Sequence, residues 1–512
     1  MANSSHATSR ASSSTITTNT ISRRTESTPL ITITDPTNKT TTATEEEDNE
    51  GHNRTTLHAF PIVTAESSYG AALEREFEVH DIDIITDITP AQYDSAFSFR
   101  KLMCFAGPGF AMSIAYLDPG NICSDLHCGA VAGYKLIWLL FLTHLLGLYV
   151  QTLSARIGIV TGQSLAQHCR THYPPLIRIP LWLLCELAII GSDIQEAIGT
   201  AIALYLLLGI PIWTGILLAS VLSYVILGVQ QFGARKVEAL FVIMIAVMCV
   251  CFGIEVFMAK PDFKEIALGF FFPRIPQNAM VQAVGVVGAV IMPHNLFLHS
   301  ALVGTRRTNT KQLPSSESGD HAKVSSIREA NFYATVESAI ALLFSFIINA
   351  TILVVFADIY GSSDKNNLLG RVMEEGERRL PGLIEAAALL EGAFGQIGPL
   401  LWAIGLLSSG QSSTATGTMA GQYLMEGMMQ LRVSNWLRMF ISRSISLIPT
   451  MLVGILARSY LDRFDEWLNV LQSLALPFAL VPTLKLAQSS RVMTEEFALK
   501  GWWRYLGWSI VI

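Results

Sequence analysis

The chain has 512 residues, of which 51% are hydrophobic and 15% charged, a charged share well below the roughly 25% of soluble proteins. The net charge of −6 says little, because much of it comes from an acidic N-terminal stretch. No basic domain and no basic-aromatic interleaving is present, which argues against a nucleic-acid partner. The seven cysteines follow neither a disulfide framework nor a zinc spacing.

The N-terminal stretch, residues 1–98, is rich in Ser, Thr, Asn and Glu and has few apolar residues. Such a composition cannot bury enough surface to offset the entropy of ordering, so we expect a disordered tail. Within it, ESTPLI matches an acidic dileucine sorting pattern through Glu26, Leu30 and Ile31. The pattern predicts sorting adaptors and an endosomal or vacuolar membrane, although short patterns also arise by chance and the plasma membrane is the alternative.

From residue 99 to 512 the chain is a series of apolar segments of the length that spans a bilayer, about 20 residues. This pattern predicts an all-α polytopic membrane domain of about eleven transmembrane helices. We number the expected helices as segments 1 to 10, over residues 101–127, 134–158, 177–206, 210–229, 236–258, 279–303, 329–357, 392–428, 436–457 and 466–488. An eleventh begins near Trp502 and is cut short at Ile512, as expected of a truncated sequence.

Basic residues concentrate in alternate connections, for example Arg306 and Arg307 between segments 6 and 7. By the positive-inside rule these connections and the N-terminus are expected in the cytosol.

Segments 1 and 6 each contain the same interruption. AYLDPGN, residues 115–121, and AVIMPHN, residues 289–295, both read Ala-x-x-X-Pro-x-Asn. Two proline-interrupted helices, five positions apart, are typical of transporters built from inverted five-helix repeats. Each proline removes a hydrogen-bond donor, so the carbonyls of Ala115 and Ala289 are expected to face the centre. Plain proline kinks are the alternative, but the intramembrane carboxylate of Asp118 argues against them.

The side chains at these breaks predict the substrate. Asp118 offers a carboxylate, Asn121 an amide oxygen and Met292 a thioether. Calcium and magnesium favour oxygen alone, whereas a mixed oxygen and sulfur set suits divalent transition metals. The two breaks therefore predict a transition-metal site.

These motifs resemble those of the Nramp family of divalent metal transporters. The resemblance rests on DPGN (118–121), MPHN (292–295), ELAIIGSDIQEAIGTAIA (186–203), GQSSTATGTMAGQ (410–422) and PFALVP (477–482). It implies a LeuT-type fold with helices 1 and 6 broken. It also implies proton-coupled import of manganese or ferrous iron, with cadmium, cobalt or zinc as further substrates, and no resident cofactor.

The resemblance also implies which residues hold the metal, namely Asp118, Asn121, Met292, Gln472 and the carbonyls of Ala115 and Ala289. For Gln472, an interhelical hydrogen bond is an equally open interpretation.

The implied proton route runs from Asp118 to segment 3. Asp193 and Glu196 share one face of that helix by their i, i+3 spacing, and Glu186 lies two turns earlier. A structural ion pair with arginine is the competing interpretation.

The family carries an arginine in its ninth helix, and either Arg438 or Arg443 matches it. His294 is the most titratable group near the break at neutral pH, and it is either a proton carrier or a modulating hydrogen-bonding strut.

One stretch departs from the family pattern. After DPGNI, many eukaryotic members carry a glutamate and later a glutamine, where this chain has Cys123 and His127, followed by Cys128. The departure leaves the metal ligands intact but affects the expected proton uptake on the outer side. These three residues are interpreted either as a soft-metal antechamber or, preferably, as small residues that pack a helix.

Other functions are weighed against transport. A sensor or signalling protein that retains an Nramp-like membrane domain is the main alternative, and the intact Asp118, Asn121, Met292 and His294 argue for transport. A sodium-coupled amino-acid transporter of the same fold would need a cavity without a carboxylate-thioether pair. No nucleophile-base constellation indicates an enzyme.

Overall fold

The computed structural model describes residues 97–99, 101–102, 108–230, 234–305, 317–361, 382–430, 434–456 and 461–511. This part of the chain contains helices and no strand, as the sequence predicts. The expected tail lies outside the described residues except for its last two positions, and so do Glu26, Leu30 and Ile31.

The α-helices of the described part are numbered in chain order. They are α1 Pro108–Ile114, α2 Pro119–Ala132, α3 Ile137–Thr161, α4 Leu165–His172, α5 Pro175–Leu208, α6 Ile212–Gln230, α7 Ala234–Ala259, α8 Phe263–Phe271, α9 Met280–Val290, α10 Pro293–Thr305, α11 Glu317–Gly361, α12 Leu383–Phe394, α13 Ile397–Met429, α14 Asn435–Leu456, α15 Leu461–Gln488, α16 Ser490–Phe497 and α17 Trp502–Val511. Every predicted segment contains helix, and segments 1 and 6 are each divided in two, as α1 with α2 and α9 with α10.

Six ranges within the described residues are long and apolar enough to cross a bilayer. They are Pro119–Thr161, Pro175–Leu208, Ala239–Ala259, Gln277–Gly304, Val324–Gly361 and Phe464–Gln488. These ranges indicate an integral membrane protein.

Four short helices, α4, α8, α12 and α16, are absent from the sequence prediction because they are too short to span a membrane. For α4 a local signal is present in the sequence. Ser164 and Gln167 form a capping box, in which the Gln167 side chain accepts from the Ser164 backbone N–H at 2.8 Å and the Ser164 hydroxyl accepts from the Gln167 N–H at 3.3 Å.

The helices around the breaks pack closely through glycine. A Cβ atom on Gly129 of α2 would lie 2.4 Å from the carbonyl oxygen of Leu353 in α11, and one on Gly410 of α13 would lie 2.4 Å from Thr200 Oγ1 in α5. Without these side chains the backbones approach one another, as is usual where membrane helices associate. The resulting interior encloses both breaks.

Candidate metal site

The first break occupies residues 115–118, between α1 and α2. The carbonyl of Tyr116 accepts a hydrogen bond from Asn349 Nδ2 of α11 at 3.0 Å, and the carbonyl of Leu117 accepts one from the Ser409 hydroxyl of α13. Side chains of two other helices thus satisfy carbonyls that lost their helical partners. The sequence prediction missed both donors, because nothing local links them to the break.

Asp118 caps the N-terminus of α2 and is 1% exposed. Its Oδ1 accepts from the backbone nitrogen of Asn121 at 2.8 Å and from Asn121 Nδ2 at 2.7 Å. Its Oδ2 is buried and has no hydrogen-bond partner in the described part of the chain. One carboxylate oxygen therefore stabilises the helix start, and the other remains available to a ligand.

The second break lies between α9 and α10 and contains Ile291 and Met292, which is 2% exposed. Asn121 Nδ2 donates to the carbonyl of Ala289 at 3.0 Å, so the two breaks meet as predicted. The Ala289 carbonyl thus faces the site, where it accepts from the Asn121 amide. Asn121 Oδ1 is buried without a partner among the described residues.

Ala115 is buried in the first break and packs in a small apolar cluster with Met112, Leu298 of α10 and Ala420 of α13. The predicted ligand residues of both breaks are therefore all buried in the same interior.

Gln472 of α15 joins a chain of buried amides. Its Nε2 donates to Gln195 Oε1 at 3.0 Å, Gln195 Nε2 donates to Asn469 Oδ1 at 2.9 Å, and Asn469 Nδ2 donates to the carbonyl of Gly120 at 3.1 Å. The interhelical hydrogen bond named as the alternative for Gln472 is thus present. Its Oε1 is nevertheless buried without a partner in the described region, so both interpretations are compatible with the geometry. Sequence reasoning missed Gln195 and Asn469.

Asp193 and Glu196 of α5 share one arginine. Arg443 Nη2 of α14 lies 3.4 Å from Asp193 Oδ1 and 3.1 Å from Glu196 Oε2. Ser442 donates to Asp193 Oδ2 at 2.6 Å, and Thr414 of α13 donates to Glu196 Oε2 at 3.0 Å. Both carboxylates and the guanidinium are buried, so they form one charged network within the membrane domain.

Arg438 binds a different carboxylate. Its Nη2 lies 3.5 Å from Glu186 Oε2, and its Nη1 donates to the carbonyl of Thr418 at 2.9 Å. Trp182 donates to the other oxygen of Glu186 at 3.1 Å. The sequence left open which of the two arginines pairs with the carboxylates of segment 3. In the structure both do: Arg443 binds Asp193 and Glu196, and Arg438 binds Glu186.

His294 lies in the first turn of α10, and His299 lies further along the same helix. Both are buried, and the Nδ1 atom of each has no partner among the described residues. His299 also contacts the backbone of Gln151 in α3.

The residues that depart from the family pattern divide into two groups. Cys123 Sγ lies 3.9 Å from His127 Nε2, whereas Cys128 turns away and its Sγ donates to the carbonyl of Gln282 at 3.9 Å. In the described part of the chain no three His, Cys, Asp or Glu residues are placed to hold a metal ion. The three-residue antechamber is therefore not formed, in keeping with the preferred interpretation as packing residues.

A family model for natural resistance-associated macrophage protein-like proteins, Nramp, matches residues 109–512. The chain belongs to the Nramp family. Nramp relatives include a metal transporter nramp1 homolog of Dictyostelium discoideum, 46% identical over 402 residues that cover 78% of this chain and 71% of the relative. The natural resistance-associated macrophage protein 2 of Homo sapiens is 44% identical over 442 residues, with 83% and 75% covered.

Solved transporter structures share the fold of this chain. The manganese transporter of Eremococcus coleocola, in complex with an aromatic bis-isothiourea compound, is 31% identical with a TM-score of 0.67, covering 83% of this chain and 88% of its own. Mhp1, a nucleobase-cation-symport-1 family transporter, matches at a TM-score of 0.50 and 16% identity and shows the fold alone. The predicted LeuT-type fold and family are confirmed, and Nramp proteins are transporters, not enzymes.

Proposed function

We propose that this Nramp protein transports divalent transition-metal ions, chiefly manganese and ferrous iron, across a membrane towards the cytosol together with protons. One observation carries the proposal. The NH2 group of Asn121 bridges the Asp118 carboxylate and the Ala289 carbonyl, and so joins both breaks at one point where Asp118 Oδ2 and Asn121 Oδ1 have no described partner. The names of the relatives as metal transporters support the substrate class.

The donor set favours transition metals over calcium and magnesium. Asp118, Asn121 and the carbonyls of Ala115 and Ala289 supply hard oxygen atoms, and Met292 supplies a soft sulfur that calcium and magnesium bind poorly. Gln472 Oε1 is a further oxygen donor. Cadmium, cobalt and zinc are further substrates by the same reasoning.

The proposed proton route starts at Asp118 and passes to α5. Helix α5 packs against the first residues of α2, directly after the first break, since a Cβ on Gly120 would lie 2.7 Å from the Gln195 side chain and one on Gly199 would lie 2.5 Å from Pro119. Glu196 lies between these two contact positions in sequence and, with Asp193, binds Arg443. A proton that leaves Asp118 therefore has acceptors on the adjacent helix, with Glu186 and Arg438 further along it.

His294, two residues from Met292, is proposed to modulate this transfer. Its Nδ1 is buried and has no described partner, so this nitrogen is available for a hydrogen bond or a proton.

The proposed orientation has a cytosolic N-terminus, by the distribution of basic residues. The proposed location is an endosomal or vacuolar membrane, to which sorting adaptors that bind Glu26, Leu30 and Ile31 would direct the protein. In cells, alanine at both Leu30 and Ile31 should move a tagged protein towards the plasma membrane. No redistribution would mean that the dileucine match is accidental.

Transport is tested with the purified chain in liposomes, under an imposed pH gradient and a panel of manganese, iron, cadmium and calcium. Manganese uptake that rises with an inward proton gradient, with acidification of the lumen, is the expected result. Metal binding without uptake would contradict the proposal and favour the sensor alternative. Uptake that is indifferent to the pH gradient would contradict the proton coupling alone.

A further inference from the structure

Two arginines flank the turn that connects α4 to α5. Only residues 173–174 separate the helices; Arg170 lies in the last turn of α4, and Arg178 lies in the first turn of α5, where its N–H donates to the Pro174 carbonyl at 3.0 Å. Within the described residues neither guanidinium has a carboxylate partner or a side-chain hydrogen bond. Two cations thus flank one short turn, and neither has an anionic partner among the described residues.

The positions of the arginines are fixed by packing. Leu165 and Cys169 of α4 are fully buried, and the Leu165 N–H donates to the Ser300 hydroxyl of α10 at 2.9 Å. The turn itself is closed by a hydrogen bond from the Tyr173 N–H to the Cys169 carbonyl at 3.0 Å. The helix and the turn that carry the two arginines are therefore held in place by packing and backbone hydrogen bonds.

Among the described residues no carboxylate forms an ion pair with either arginine. Arg178 Nε is buried and has no acceptor in the described part of the chain, and a buried N–H of a charged group is costly to leave unpaired. Burial and the charge of Arg178 both lower the pKa of the Arg170 guanidinium. The positive end of the α5 dipole lies at the same place. All three effects favour a bound anion.

The surface beside the pair is apolar. Leu176, Ile177 and Ile179 on the first turns of α5 are exposed, Leu176 to 86%. They begin the range Pro175–Leu208, which is long and apolar enough to cross a bilayer. The arginines therefore lie at the start of a membrane-spanning range, beside exposed side chains suited to acyl chains.

We propose that Arg170 and Arg178 bind the phosphate of an anionic phospholipid whose acyl chains lie along the first turns of α5. Each planar guanidinium can donate two parallel hydrogen bonds to phosphate oxygens. A headgroup without its own cation suits the site best, because a choline or ethanolamine group would meet two arginines and the positive end of α5. Basic pockets at the ends of membrane helices recognise lipid headgroups in this way.

The test uses the full chain in a neutral detergent and measures its thermal midpoint during titration with dihexanoyl phosphatidylglycerol. Saturable stabilisation is expected. In Arg170→Gln/Arg178→Gln the half-saturating concentration should rise about thirtyfold, since each arginine near an anionic surface contributes about fivefold. Each single variant should show an intermediate shift, which keeps the test decisive if the double variant does not fold.

The matched control is Arg328→Gln, because Arg328 already pairs with Glu496 at 2.5 Å. This variant should leave the lipid titration unchanged. Dihexanoyl phosphatidylcholine and glycerol phosphate separate the sources of binding. Equal stabilisation by phosphatidylcholine would show that only an apolar groove binds the lipid. Equal stabilisation by glycerol phosphate would show a site for free phosphate. Either result overturns the proposal. Unchanged half-saturation in the single and double arginine variants would overturn it as well.

Discussion

Asn121 donates twice to the same oxygen of Asp118, from its backbone nitrogen at 2.8 Å and from its side-chain nitrogen at 2.7 Å. The side-chain nitrogen also donates to the carbonyl of Ala289 at 3.0 Å. One NH2 group thus lies between the Asp118 carboxylate and the Ala289 carbonyl, two groups that we propose to hold the metal. A metal ion that binds the Ala289 carbonyl must displace this nitrogen, and half a turn of the amide presents Oδ1 to the same position.

Asn121→Asp tests this arrangement. The variant replaces the bridging donor by a second carboxylate, so the metal-free site holds two anionic groups in contact and the metal-bound site gains charge. Manganese affinity, measured by calorimetry on the purified protein, should rise about tenfold, while turnover in liposomes should fall. The control is Asn349→Asp, since Asn349 donates to the Tyr116 carbonyl and bonds no carboxylate among the described residues. An equal gain of affinity in the control would contradict the bridge.

Asp118→Ala removes the only charged ligand of the proposed site. Metal uptake should fall below about a tenth of the wild-type rate at equal amounts of protein in the membrane, a loss of more than about 1.4 kcal/mol in transition-state stabilisation. The measurement is radioactive manganese uptake into liposomes. Residual uptake well above that level would show that Asp118 is not a ligand.

Met292→Ala separates a ligand from a packing residue. Loss of the thioether leaves room for water and an all-oxygen shell, so manganese uptake should survive in part, cadmium uptake should fall and calcium should become a competitor. Competition assays with the three ions check this. Parallel decline of cadmium and manganese, with calcium still excluded, would mean that Met292 only fills space.

Asp193→Asn keeps the shape of the side chain and its contact with Ser442 but cannot titrate. If Asp193 and Glu196 accept the transported proton beside Arg443, the number of protons carried per metal should drop to less than about half, with metal affinity nearly unchanged. Parallel recordings of metal uptake and lumenal pH give the ratio. An unchanged ratio of protons to metal would mean that the Arg443 network is a structural ion pair only.

The pH dependence of stability has an identifiable contribution from His168, which lies on α4 between two membrane-spanning ranges. Burial, together with the charge of His172, lowers the pKa of His168 from 6.5 to about 4. Between these values the unfolded chain binds a proton that the folded chain does not, so acidification destabilises the fold. The thermal midpoint of His168→Gln should therefore fall less than that of wild type from pH 7 to pH 4.5. An equal fall in the thermal midpoint of the variant and the wild type would contradict a contribution from His168.

The local pattern of the breaks could be predicted because its causes are local. Proline at positions 119 and 293 removes a backbone donor that a continuous helix would use, and α2 and α10 begin at these residues as expected. The amides of Gln195 and Asn469 could not be predicted, since their partners lie far away in the chain and only packing brings them together.

The sequence by itself determined the membrane class, the two interrupted helices and the chemical types of the proposed ligands, because apolar length, proline and side-chain chemistry act over a few residues. Only the tertiary structure decided that Arg443 binds Asp193 and Glu196 while Arg438 binds Glu186, and that the Asn121 amide closes on Ala289. These pairings depend on how α5, α13 and α14 pack and on how the two breaks face one another. Such contacts arise between residues distant in the chain. Helical periodicity predicts which face of a helix a residue lies on, but not which other helix packs against that face.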